Sequence, residues 1–109
     1  MFLTVIKTPE FMAWSALVWS DAEREAFIDW IADHPEAGDV IPGSGGLRKV
    51  RWSRAGVGKR GGARVIYFTR NARGELVLVL VYDKAKFDNI SPQVLKALKE
   101  KFDAQPPRP

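Results

Sequence analysis

Seven consecutive apolar residues, Leu76 to Tyr82 (LVLVLVY), constrain this chain more than any other stretch. The run has the length of a buried strand and falls well short of a membrane-spanning helix. Side chains of a strand alternate between two faces, so a strand with no polar residue needs cover on both. The run therefore predicts a strand central in its sheet.

The flanking segments supply the rest of a sheet and its helices. Phe2 to Lys7 is rich in β-formers and reads as a first strand. Thr8-Pro9-Glu10 then opens a helix, with Thr8 as cap and Pro9 at the first helical position, running through Phe11, Trp14, Ala16 and Leu17. Ser20-Asp21-Ala22-Glu23 has the capping-box pattern and starts a second helix that stops before Pro35. Its apolar stripe is Ala22, Ala26, Phe27, Trp30 and Ile31, with Glu23, Glu25, Asp29 and Asp33 off the stripe. Gly38 to Gly46 is a turn-rich connector. A second strand, Leu47 to Trp52, and a third, Ala63 to Thr69, flank the loop Ser53 to Gly62, and Asn71-Ala72-Arg73-Gly74 turns the chain into the apolar fourth strand. Ser91-Pro92 starts a last helix with the stripe Val94, Leu95, Leu98 and Phe102, and with Lys96, Lys99 and Lys101 facing water. The predicted order is β-α-α-β-β-β-α. This is an α+β fold: an N-terminal strand, a helical hairpin, an antiparallel three-stranded meander packed by one face on helices, and a C-terminal helix. At 109 residues the chain is expected to form a single domain over 1–104, followed by a disordered tail, 105–109.

Charge divides the chain unevenly. Residues 1–39 carry two basic and eight acidic side chains, whereas 40–74 carry nine basic and none acidic. The nine are Arg48, Lys49, Arg51, Arg54, Lys59, Arg60, Arg64, Arg70 and Arg73. Like charges gathered on one hairpin repel each other, and an anionic partner relieves this; a solvated hairpin face is the other reading. Alternation sets Lys49 and Arg51 on one face of the second strand and Arg48, Val50 and Trp52 on the other, while Arg64 shares a face with Ile66 and Phe68. Cations converging from adjacent strands bind a phosphodiester and stabilise charge developing on it. Lys84, just past the fourth strand, can add to them. Alternatively, Arg64 pairs with an acidic residue of a helix.

Other chemistries fit poorly. Gly56 to Gly62 (GVGKRGG) is basic and glycine-rich but lacks phosphate-loop spacing and leads into a strand. With one histidine, His34 at a helix end, and no cysteine, neither a zinc site nor any other cofactor is expected. No carboxylate pair lies near the basic hairpin, which disfavours glycosidase chemistry. Trp14 and Trp30 read as core, and Trp52 as packing beneath the loop, with stacking on a base as its alternative. No signal peptide or membrane-spanning helix is expected, so the default location is cytoplasmic.

The element order, the basic second strand and the run Gly62-Ala63-Arg64-Val65-Ile66-Tyr67 resemble the RelE/ParE superfamily of toxins from toxin–antitoxin systems. Three further stretches, Gly38 to Ile41 (GDVI), Gly43 to Arg51 (GSGGLRKVR) and Gly58 to Arg64 (GKRGGAR), resemble the HigB-type, host-inhibition branch. That resemblance implies a metal-independent mRNA endoribonuclease acting in the A site of the 70S ribosome, where a 2′-hydroxyl attacks the phosphate and leaves a cyclic product. It implies Lys49 and Arg51 as the paired cations of the second strand and Arg64 as the clamp on the scissile phosphate. Lys84 would be the proton donor to the leaving oxygen and Tyr82 a substrate-orienting residue. Arg48, Arg54, Lys59, Arg60 and Lys86 would be RNA-binding. Relatives tend to read Tyr-x-Lys-Asn-Glu and then Asp-Leu where this chain has Tyr82-Asp83-Lys84-Ala85-Lys86 and Asn89-Ile90. The resemblance also implies a cognate antitoxin of the helix-turn-helix, HigA-like kind, with DNA contacted only through it. Two other functions stay open: gyrase inhibition, as in the ParE branch, and RNA or ribosome binding without cleavage.

Overall fold

Strand β5, Glu75–Asp83, contains the apolar run and lies inside a five-stranded sheet. The computed structural model describes residues 4–52, 62–83 and 90–103. In chain order the elements are β1 (Thr4–Lys7), α1 (Pro9–Val18), α2 (Asp21–Asp33), β2 (Asp39–Val40), β3 (Arg48–Trp52), β4 (Ala63–Arg70), β5 and α3 (Pro92–Asp103). The sheet order is β1-β5-β4-β3-β2. Strands β3, β4 and β5 form the expected antiparallel meander, and β1 pairs parallel to β5.

The local signals work as their chemistry requires. The hydroxyl of Thr8 accepts from Phe11 N at 3.1 Å, and Pro9 opens α1. At α2, Ser20 Oγ accepts from Glu23 N at 3.2 Å while Glu23 Oε1 accepts from Ser20 N at 3.1 Å, closing the capping box. His34 caps the C-terminus of α2, its Nδ1 donating to Trp30 O at 2.8 Å.

Four expectations are corrected. The connector after α2 contains a strand: β2 pairs with β3, Asp39 opposite Lys49 and Val40 opposite Arg48. The sheet is covered on both faces rather than one. Phe11 of α1 and Phe27 and Ile31 of α2 pack with Val50, Val65, Tyr67, Leu78 and Val81. On the opposite face Leu95, Leu98 and Phe102 of α3 pack with Leu47, Ile66, Phe68, Val77 and Val79. The apolar stripes are also narrower than read, since Ala22, Ala26, Leu17 and Val94 are exposed. Helical periodicity identifies a candidate face but not how much of it a neighbour reaches. Nor does Lys99 simply face water: its ammonium lies 5.0 Å from the centroid of Phe68 and pairs with Asp103 at 3.2 Å.

Glycine and tyrosine together join α2 to the sheet. Tyr67 is fully buried; its hydroxyl donates to Pro35 O and accepts from Gly38 N, each at 2.9 Å. A Cβ on Gly38 would lie 2.9 Å from the Tyr67 ring and 3.0 Å from the backbone of Lys49, so only glycine fits. Tyr67→Phe strands the buried amide of Gly38 and is expected to cost about 1–3 kcal/mol in urea unfolding, against near zero for a hydroxyl without partners. Burial pushes the Tyr67 phenol above its usual value, the bond from Gly38 opposing it. A raised acid favours the fold below the unfolded phenol value and loses that contribution as pH rises through the folded one. Stability should therefore fall in the alkaline range above about pH 10, and less steeply in Tyr67→Phe.

The glycine-rich turn before β3 is a seat for α3. Gly43, Gly45 and Gly46 have φ of 75°, 78° and 101°, values that favour glycine. Ser44, buried among them, donates to Ile41 O at 2.6 Å and accepts from Leu47 N at 3.1 Å, which directs Leu47 beneath α3.

Candidate functional site: a cation row on the sheet

Cross-strand register determines which cations meet. Arg51 of β3 is directly opposite Arg64 of β4, and Arg64 is directly opposite Tyr82 of β5. The three form one row across the meander, on the face that carries α3, with Tyr82 part of the core that Leu95 joins. Lys49 lies one step along, opposite Ile66 on the same face. Directly opposed side chains have Cβ atoms roughly 4.5–5.5 Å apart and diagonal ones roughly 7–8 Å. Lys49, Arg51 and Arg64 are thus within reach of a single phosphate.

Gly62 is what lets the two arginines close up. A Cβ there would stand 3.2 Å from Arg51 Cγ, 3.4 Å from Arg51 Cδ and 3.5 Å from Arg64 Nη1. Both side chains therefore use the space of the missing side chain. Sequence reading placed Gly62 only inside a motif; the signal that could have found it is a glycine two residues before Arg64 on the same face. Gly62→Val should force Arg51 aside and weaken binding of a short RNA by about tenfold, measured by fluorescence anisotropy, with Gly62→Ala milder. Unchanged affinity for the valine variant would show that the close approach is irrelevant.

The electrostatics of the row favour an anion. Two arginines directly opposite each other repel, so the fold itself gains nothing from the pair. Among the described residues no carboxylate forms an ion pair with Lys49, Arg51 or Arg64, whereas Arg24, Arg70, Lys99 and Lys101 all have acidic partners. The pairing of Arg64 with a helix carboxylate, the alternative left open by the sequence, is not found there. Its contact to Gly62 O is long, 3.5 Å, and among the described residues most of the guanidinium's five N–H donors are left for a ligand. Tyr82 is only 2 % exposed and forms the floor of the row. Burial raises its phenol pKa, and the charge of Arg64 opposes the shift.

Arg48 is set apart. It lies opposite Tyr67 on the other face, as alternation predicts, and its Nη1 donates to Gly38 O at 2.7 Å. Trp52 also points to that face, its ring centroid 5.6 Å from those of both Trp19 and Phe27, so it packs rather than stacks on a base. Lys84, Arg54, Lys59, Arg60 and Lys86 lie outside the described residues.

No protein-family model matches the chain. Among solved structures it is similar to a mutant of the E. coli toxin RelE in the free state, at 12% identity and a TM-score of 0.60, covering 91% of this chain and 98% of that one. The order of strands and helices is thus that of a RelE-like fold.

Proposed function

We propose that this protein is the toxin of a type II toxin–antitoxin system, a HigB-type endoribonuclease that cuts mRNA in the ribosomal A site. The observation that carries the reading is the pair Arg51 and Arg64, opposed across β3 and β4 over Gly62 with no carboxylate partner among the described residues. The RelE fold supports it. In the reaction a 2′-oxygen attacks phosphorus, the bond to the 5′-oxygen breaks, and a 2′,3′-cyclic phosphate remains. The two guanidiniums hold the non-bridging oxygens as negative charge builds on them. Lys49 binds the adjoining phosphate, and Tyr82 fixes the floor against which Arg64 is set. Lys84 supplies the proton that the departing 5′-oxygen takes up, while the proton of the 2′-hydroxyl passes to a base or to solvent. The protein's partners on this reading are the 70S ribosome, mRNA and a HigA-like antitoxin, and its site of action is the cytoplasm.

Cleavage of mRNA on programmed ribosomes by the purified protein is the test. Intact message with accumulating DNA breaks would point to gyrase inhibition instead, and tight binding without cleavage to a non-catalytic RNA-binding module. Binding itself should weaken with salt at a log–log slope of roughly −0.7 per phosphate neutralised, and lose about one such increment in Arg51→Ala.

A further inference from the structure

Strand β5 contains one residue more than its neighbour β4 can pair. Ile66 is opposite Leu80 and Tyr67 is opposite Leu78, leaving Val79 without a partner on β4. Such a bulge inverts the side-chain alternation beyond it. Leu76 and Leu78 point to the α1–α2 face, Val79 and Leu80 both point to the α3 face, and Val81 returns to the first. Tyr82 consequently lies on the α3 face, beside Arg64. With uniform alternation from Leu76, Tyr82 would point to the opposite face and the cation row would lose its floor.

The bulge is braced from 70 residues away. Thr8, 3 % exposed, shares its one hydroxyl proton between both carbonyls at the bulge, Leu78 O at 2.9 Å and Val79 O at 3.0 Å. The same oxygen accepts from Phe11 N, so one hydroxyl caps α1 and reaches the irregular part of β5, where the Thr8 amide also donates to Leu78 O at 3.2 Å. A helix cap alone has no need of the two carbonyls. We propose that Thr8 is a positioning residue for the cation row, its hydroxyl holding the β5 bulge that turns Tyr82 onto the face of Arg64. The inference rests on the nuclease reading only for its effect on activity; the geometric part stands without it.

Nuclear magnetic resonance on the wild type and on Thr8→Val and Thr8→Ser separates these parts. The wild type should show cross-strand contacts between Arg64 and Tyr82; their absence would overturn the proposal whether or not any variant folds. Thr8→Val should lose those contacts and shift the amide signals of residues 79–83, and Thr8→Ser should restore both. Ser20→Ala, which removes the cap of α2, should leave them unchanged. Message cleavage should fall on the order of tenfold to a hundredfold in Thr8→Val and return in Thr8→Ser. If Thr8→Val keeps the Arg64–Tyr82 pairing and merely melts earlier, Thr8 is a cap and nothing more. Lost pairing with full cleavage would also sink the proposal. A wild type that pairs as described but cuts no message would refute the nuclease reading and leave the bracing role of Thr8 intact.

Discussion

On the proposed nuclease reading, Arg64→Ala is expected to lower mRNA cleavage by on the order of a hundredfold to a thousandfold, the scale of losing one donor set on a developing oxyanion. In cells it should relieve growth arrest. Stability should move by about 0.5 kcal/mol or less, because the side chain is not a packed core group. The sign is informative too. Arg64 faces Arg51 directly, so its removal relieves a repulsion and the variant should unfold at the same or slightly higher urea concentration. Arg64→Lys keeps the charge but loses the planar fork, and should recover only part of the rate. A variant that loses activity and stability together would mean that Arg64 is structural.

The largest stability effect is expected at Phe27→Ala. Phe27 is fully buried on α2, with the rings of Trp19, Trp30 and Trp52 at centroid distances of 5.3, 6.2 and 5.6 Å. Removing a ring from such a cluster costs about 3–5 kcal/mol, set against a total stability of about 5–15 kcal/mol for a typical domain. The loss should reach the site as well. Trp52 ends β3 next to Arg51, and with Phe27 gone it keeps Trp19 but not its second wall. Near-ultraviolet circular dichroism should report the disturbed tryptophans, and urea titration the destabilisation. A cost below about 1 kcal/mol would show that the tryptophans collapse into the space.

The cation row and the aromatic cluster sit on opposite faces of the same strand. Along β3, Lys49 and Arg51 alternate with Val50 and Trp52, so packing one set against the helices presents the other to the opposite side. Stability on one face and the proposed ligand contact on the other are thus separable, which is why Arg64→Ala and Phe27→Ala are expected to part so cleanly.

Much of this was readable before any coordinates. The two N-caps, the first-turn proline, the meander and an apolar strand interior to the sheet, though not at its centre, follow from local chemistry, and local signals need no distant partner. Alternation along β3 made the shared face of Lys49 and Arg51 legible, whereas their meeting with Arg64 rests on the β3–β4 register. The fifth strand was different. In Leu76 to Tyr82 every position is apolar, so no polar residue marks which face is which or where the count slips. The bulge at Val79, and with it the side on which Tyr82 emerges, depends on a hydroxyl from Thr8 that meets β5 only in the folded chain. The two-residue strand at Asp39 exists for a similar reason: β3 offers it an edge. Sequence determined the main elements and the alternation of charge along β3; tertiary contact decided the short strand β2, the register that sets Arg64 opposite Arg51, the bulge, and the void at Gly62 into which two arginines lean.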